Sequence, residues 1–373
     1  MTRIFLVAGE SSGDIHGGNL VRALRELDPS VECSGLGGRH MAEAGMALRY
    51  DLASDAIMGF VEVARRFPWI RRIFLDTIHH LEADRPDCLV LIDYPGFNMQ
   101  LARRAALLSI PIVYYISPQV WAWKKNRIYR LAEMVLKMLV ILPFEEALYR
   151  EVGMDVTYVG HPLFDHMARY SFSGSYDGGM AIGLLPGSRE QEIGRLMGTM
   201  LEVAKGIRAR HPEARFVTPC VDEARQEQIR AMAGGFPLET VVGKSYDVLK
   251  GARFCLLASG TATLEAALFG VPMLITYKVA PLSYLLARLL VHIEHIGLVN
   301  ILAGRRIVPE FVQGAATAEA LLPAALELIE DSPARRTMLQ ELAKVRDQLG
   351  GAGASKRAAE EVLKVAHEAK SHG

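Results

Sequence analysis

No stretch of the sequence reaches the roughly 20 consecutive apolar residues needed to span a bilayer as a helix. The two longest candidates are interrupted, Met134–Leu142 by Lys137 and Tyr284–Val291 by Arg288. The first residues lack the basic, then apolar, then small-residue order of a secretory leader. A cytoplasmic protein, soluble or peripheral on a membrane, is therefore expected. An excess of one charge is missing as well. Lys plus Arg number 42 and Asp plus Glu 42, so the formal net charge is zero. This argues against nucleic acid as a partner, which would call for a basic surplus. Cysteine is scarce, and Cys33, Cys88, Cys220 and Cys255 are far apart with no metal-like spacing. They read as buried small hydrophobes in a reducing compartment. The histidines form no H-x-x-x-H or H-E-x-x-H pattern, so no metal site is expected. Neither G-x-G-x-x-G nor a Walker A loop occurs, which weighs against dinucleotide dehydrogenases and P-loop kinases.

What is present is 373 residues of ordinary globular composition, 50% apolar and 23% charged. That length favours two domains. Short apolar runs alternate with helical patterns from the first residue. Strands are expected at Ile4–Ala8, Val31–Leu36, Cys88–Ile92, Ile112–Ile116, Leu139–Leu142 and Val156–Val159. Helices fall near Gly17–Leu27, Ile70–Ala83 and Met99–Leu108. The Gly-, Ser- and Asp-rich stretch Tyr170–Gly179 reads as a linker. The alternation then restarts with strands at Met180–Leu185, Arg215–Val217, Phe254–Leu257 and Pro272–Thr276, and helices at Glu190–Arg210 and Thr263–Phe269. Two such assemblies predict an α/β protein of two Rossmann-like domains facing a cleft, with ligands at the carboxyl ends of the strands. The expected division is 1–170, 171–345 and a C-terminal helical segment 346–373, whose Ser355–His367 part carries an apolar stripe.

Four strand ends carry candidate chemistry. The first is Gly9-Glu10-Ser11-Ser12-Gly13-Asp14, a Gly-rich passage that reads either as a tight turn or as a loop letting backbone approach a ligand. The second is Ile92-Asp93-Tyr94-Pro95-Gly96. Asp93 after a wholly apolar strand is partly desolvated, which lifts a carboxyl toward use as a general base; its plainer reading is a turn former. The third is Leu185-Pro186-Gly187-Ser188-Arg189, where Ser188, the local amides and Arg189 suit a diphosphate, and where Ser188 also fits a helix cap with Gln191. The fourth is Ser259-Gly260-Thr261, a helix start that offers amides to phosphate, with Glu265 one turn in to accept bonds from vicinal hydroxyls. An aromatic and basic stretch, Met58–Leu81, sets Phe60, Val63, Phe67, Ile70 and Phe74 at helical spacing, with Met58 and Trp69 beside them and Arg65, Arg66, Arg71 and Arg72 flanking. It suits an anionic membrane interface; its plainer reading, favoured by base rate, is a core helix. Pro68 is expected to break it.

These motifs together resemble lipid-A-disaccharide synthases, bacterial glycosyltransferases of the GT-B fold. The matching pieces, in the family's order, are VAGESSGD (Val7–Asp14), IMGFVEV (Ile57–Val63), IDYPGFN (Ile92–Asn98), SPQVWAW (Ser117–Trp123), LPFE (Leu142–Glu145), VGHP (Val159–Pro162), LLPGSR (Leu184–Arg189), LASGTATLE (Leu257–Glu265) and NILAGRRIVPE (Asn300–Glu310). The resemblance implies an inverting, metal-free and cofactor-free transfer from UDP-2,3-diacylglucosamine to 2,3-diacylglucosamine 1-phosphate. The products would be a β-1,6-linked disaccharide and UDP, made peripherally on the inner (cytoplasmic) membrane of a Gram-negative bacterium. It also implies a homodimer that exchanges C-terminal segments. Carried over to these residues, Asp93 is the base, with Glu10 and Gly13 facing the acceptor. Ser188, Arg189, Ser259, Gly260 and Thr261 hold the diphosphate, joined by Asn300, and Glu265 holds the ribose. The family's turn after the fourth strand often has a second acidic residue where this chain has Gly96. A shared carboxylate role would therefore rest on Asp93. Rival readings are another UDP-sugar enzyme of the same fold, such as a non-hydrolysing epimerase, and a nucleotide-sugar binder without catalysis.

Overall fold

The computed structural model describes residues 1–53, 60–121, 127–176, 178–280, 284 and 294–372, with side chains for all of these but 60–66 and 372. The chain forms two compact units, Met1–Arg169 with Leu349–Gly373, and Tyr170–Gln348. Each is built on one parallel sheet.

In the first unit the strands are β1 (Arg3–Ala8), β2 (Glu32–Gly37), β3 (Ala47–Asp51), β4 (Cys88–Ile92), β5 (Ile112–Tyr115), β6 (Lys137–Val140) and β7 (Val156–Tyr158), in the order β3-β2-β1-β4-β5-β6-β7. The helices are α1 (Ser11–Leu27), α2 (Arg39–Glu43), α3 (Phe60–Asp84), α4 (Pro95–Leu107), α5 (Arg127–Ala132), α6 (Pro143–Arg150) and α7 (Leu163–Arg169). Side chains alternate across β1. Ile4, Leu6 and Ala8 enter a core shared with Leu20, Val21 and Leu24 of α1, and Phe5 and Val7 enter the opposite core under α3 and α4. Both faces are covered, which is why β4 reads CLVLI with every residue buried. The terminal helix Ala354–His372 lies on the α1 face and contributes Ala358, Ala359, Val362 and Ala366 to that core. Its entry is pinned by Asp165, whose carboxylate accepts from the amides of Gly353 at 2.5 Å and Ser355 at 2.7 Å.

The second unit repeats the plan with β8 (Ala181–Leu185), β9 (Arg215–Cys220), β10 (Leu238–Val242), β11 (Ala252–Ala258), β12 (Met273–Tyr277) and β13 (Glu310–Val312), ordered β10-β9-β8-β11-β12-β13. Its first four helices are α8 (Glu190–Arg210), α9 (Glu223–Ala233), α10 (Ser245–Gly251) and α11 (Thr261–Leu268). In both sheets the chain winds one way and then reverses, so each has a topological switch point where ligands bind in open α/β sheets. It lies between β1 and β4 in the first unit and between β8 and β11 in the second.

Three local expectations are corrected. Helix α1 begins at Ser11 rather than near Gly17, so Gly13, Gly17 and Gly18 are helical and not part of a loop. At Gly17 and Gly18 the lack of a side chain serves packing. A Cβ on Gly17 would lie 2.6 Å from the Met41 sulfur, and one on Gly18 2.7 Å from the His40 carbonyl. Pro68 does not end a helix but sits inside α3. Helix α8 starts one residue later than a Ser188 cap requires: Arg189 is the flanking residue, and Glu192 reaches back to its amide at 3.3 Å and its guanidinium at 2.6 Å.

Candidate active site

Four of the candidate segments fall at the two switch points. β1 runs into Glu10 and β4 into Asp93; β8 runs into Ser188 and Arg189, and β11 into Ser259–Thr261.

In the first unit the turn after β4 is held in a costly conformation. Asp93 and Tyr94 are both left-handed, each with φ 46°. For non-glycine residues that costs about 1–3 kcal/mol apiece and persists only where surroundings enforce it. Here the Asp93 carbonyl accepts from the Tyr114 hydroxyl at 2.6 Å and from Asn98 Nδ2 at 2.8 Å, while its amide donates to the Tyr115 carbonyl at 3.1 Å. Tyr94 stacks on Phe97 and fills the space where a Cβ on Gly9 would sit, 2.2 Å from the ring. With the backbone so tied, the Asp93 side chain stands at the strand ends. Burial pushes its carboxyl up to about 7, and the charges of Glu10 and Glu145 push the same way. Such a group is half ionised at neutral pH, the condition that suits a general base.

Glu145 was not read as a site residue from the sequence. It is 2% exposed on α6, accepts from Ser117 Oγ at 2.7 Å and Trp121 Nε1 at 3.2 Å, and is lifted to about 7 by burial. The signal was available: an acidic residue in LPFE whose neighbours Leu142 and Pro143 open a helix. Asp14, in the VAGESSGD motif, has a structural task. It is buried and accepts from the amides of Gly38, His40 and Met41, which starts α2.

In the second unit, Gly187 is left-handed at φ 108°, and a Cβ there would strike the Glu192 carboxylate at 2.4 Å. Ser188 is exposed, and Arg189 is 49% exposed and ion-paired with Glu192. Ser259 donates to the Ile296 carbonyl at 2.8 Å; Gly260 and Thr261 are exposed at the start of α11, where helical amides point outward. One turn on, Glu265 accepts from the Tyr246 hydroxyl at 3.3 Å, and burial raises its carboxyl to about 7. Tyr246, in turn packed against Tyr170 and Phe269, was not foreseen.

Asn300 lies in the second unit, ahead of β13. It is fully buried, and its amide bonds the Val308 carbonyl at 2.8 Å, Glu310 at 2.7 Å, and the Ile307 and Val308 amides at 2.9 Å each. Every bonding position of the side chain is used inside the fold, so it latches the loop before β13. The aromatic stretch divides. Phe67 is 59% exposed, whereas Trp69, Ile70 and Phe74 pack partly buried on the sheet core. Met58 lies outside the described residues, as do the side chains of Phe60 and Val63. Among the described residues no group of His, Cys, Asp and Glu could hold a metal, and no helix is long and apolar enough to cross a membrane.

Similar chains place this geometry. Solved structures with the same layout include a UDP-GlcNAc 2-epimerase from Neisseria meningitidis bound to UDP-GlcNAc (TM-score 0.68, 14% identity, 97% of this chain and 100% of that one). Another is CalG4, the calicheamicin glycosyltransferase (TM-score 0.62, 15% identity, 99% of both chains). At such low identity they define the fold alone, which is GT-B. The lipid-A-disaccharide synthetase family model matches residues 4–365. The lipid-A-disaccharide synthases of Syntrophus aciditrophicus and Geobacter metallireducens are each 40% identical to this chain, covering 95% and 97% of it and 96% and 97% of their own lengths. The chain therefore belongs to the lipid-A-disaccharide synthase family, and its activity is the glycosyl transfer that forms the lipid A disaccharide.

Proposed function

We propose that the donor is UDP-2,3-diacylglucosamine and the acceptor 2,3-diacylglucosamine 1-phosphate, joined with inversion into a β-1,6-linked disaccharide 1-phosphate with release of UDP. The observation that carries this reading is Asp93, a carboxyl lifted to about 7 at the switch point of the first unit and set in place by its own carbonyl's bonds. Inversion in one step needs a base that takes the acceptor hydroxyl proton as the oxygen attacks the anomeric carbon, and cationic or dipolar groups on the departing diphosphate. Asp93 supplies the first, with Glu10 keeping its carboxyl basic. Ser188, Arg189 and the Ser259–Thr261 helix start supply the second, and Glu265 bonds the ribose hydroxyls. Residues 1–170 take the acceptor and 171–345 the donor.

The acyl chains of both substrates place the enzyme peripherally on the cytoplasmic face of the inner membrane, through the outward face of α3 with Phe67, Arg71 and Arg72, all exposed. Basic residues there add about 1 kcal/mol each near anionic lipid. A C-terminally exchanged homodimer would detach the helix after Gly350–Gly353 from its own first unit and seat it on another's. The test is UDP release from the donor, assayed with and without the acceptor. Acceptor-dependent release supports the assignment; release indifferent to the acceptor refutes it.

A further inference from the structure

We propose that Glu145 is a positioning residue for the acceptor, acting through the Ser117–Trp121 loop; the inference rests on the reading that the first unit's switch point takes the acceptor. Glu145 is buried, and its side-chain bonds among the described residues are to the uncharged donors Ser117, Trp121 and the Leu142 amide. A lone buried carboxylate is expensive unless every oxygen is bonded. Its Oε2 accepts from the Leu142 amide at 3.2 Å and so starts α6. That task alone needs only one oxygen. The other oxygen reaches to a different element, taking the Ser117 hydroxyl at 2.7 Å and the Trp121 indole N–H at 3.2 Å.

The loop it grips leaves β5, the strand beside β4 and Asp93. The loop begins with Ile116 in the left-handed region at φ 63° and is held a second time by α6, through the Tyr149 hydroxyl on the Pro118 carbonyl at 3.3 Å. Its end carries Trp121, half-buried, edge-on to Phe144 with ring centres 5.4 Å apart; Phe144 is 37% exposed. One carboxylate thus fixes an aromatic pair on the rim that also bears Asp93. Aromatic faces of this kind receive the C–H face of a sugar ring, and the acceptor's glucosamine is the sugar that must lie against Asp93.

The titratable groups acting with Glu145 are Asp93, at the end of β4, and Tyr149, on its own helix. Ser117 and Trp121 carry no charge. Glu145 protonates near pH 7, where it loses acceptor capacity toward the loop. Asp93 titrates in the same range, so the pH profile of E145Q, which keeps Asp93, is what separates the two groups.

The experiment measures acceptor KM, kcat and UDP affinity for wild type, E145Q, W121F and the double variant across pH 6–8.5, with thermal melts. E145Q and W121F are each expected to raise acceptor KM about 10–100-fold, the change corresponding to one hydrogen bond to a charged group at about 1.5–3 kcal/mol. UDP affinity stays at the wild-type value, and the double variant is no worse than the worse single one. Wild-type KM rises below about pH 7, a rise that E145Q lacks. If E145Q does not fold, W121F decides, since it keeps an aromatic ring at the half-buried position and removes the N–H donor. Unchanged acceptor KM in folded variants, additive effects, or the same pH rise in E145Q would each overturn the proposal. A wild-type enzyme that releases no UDP in response to acceptor would overturn the acceptor reading beneath it.

Discussion

Replacing Asp93 by Asn separates the base from everything that holds it. Asn tolerates the left-handed backbone well, so the turn with φ 46°, and the bonds from Tyr114 and Asn98 to the carbonyl, should survive. What is lost is the proton acceptor, at an expected cost of about 10²–10⁴-fold in kcat. The same change should stabilise the fold at alkaline pH. A carboxyl raised from its ordinary 3.8 to about 7 holds its proton in the native state after the unfolded chain has released it. The native state therefore binds more protons between those values, and stability falls as pH rises through that window. Complete at pH 8, the loss is at most about 4 kcal/mol, and about 1–3 kcal/mol once the remaining contact with solvent is allowed for. Asn titrates nowhere in this range and escapes the loss. The assay is a pair of pH series, kcat and thermal melting, from pH 5 to 9. Wild-type kcat should fall about tenfold per pH unit below 7. The Asn variant should be nearly inactive throughout, and its melting advantage over wild type should grow steadily from pH 5 to pH 8. Near-normal turnover, or a melting difference that does not depend on pH, would refute the reasoning.

Other consequences follow from the same geometry. Arg189→Ala should weaken UDP about tenfold by calorimetry, the low end for a charge-assisted bond because Glu192 already holds part of the guanidinium. Glu265→Gln should weaken UDP while leaving inorganic diphosphate affinity unchanged, since its carboxylate lies one turn inside α11. Phe67→Ser should leave the melting temperature near wild type and reduce sedimentation with anionic vesicles, because the ring is 59% exposed. Trp69→Ser should instead cost about 1–3 kcal/mol in denaturant unfolding, its ring being packed on the core. Asp165→Asn should loosen the C-terminal helix by about 1–3 kcal/mol, seen as faster hydrogen exchange after Gly353, as two charge-assisted bonds to its entry weaken.

The strands were legible wherever burial on both faces erased alternation. Cys88–Ile92 and the helix Glu190–Arg210 coincide with the expected spans. Strands β3, β10 and β13 escaped notice because ALRYD, LETVV and EFV carry polar residues on exposed or half-buried sheet edges, where little apolar signal is required. The start of α1 was misplaced because glycine punctuates loops in most contexts, whereas here it lets α1 approach Met41 and His40. Segments at strand ends could be found from local spacing, and Asp93 and Arg189 do follow β4 and β8, with Glu265 in the helix after β11. The inward bonds of Asn300 and Glu145 were not legible for one reason. Whether a polar side chain turns toward a ligand or into the fold is decided by partners distant in sequence, Ser117 lying 28 residues from Glu145.

The central claim is a single inverting displacement with Asp93 as base. Its most direct test is the configuration of the new linkage, read from the anomeric proton coupling in the nuclear magnetic resonance spectrum of the disaccharide made from an α-linked donor. The account predicts a β linkage formed one-for-one with UDP. An α linkage would mean two displacements or a dissociated intermediate, and would contradict it.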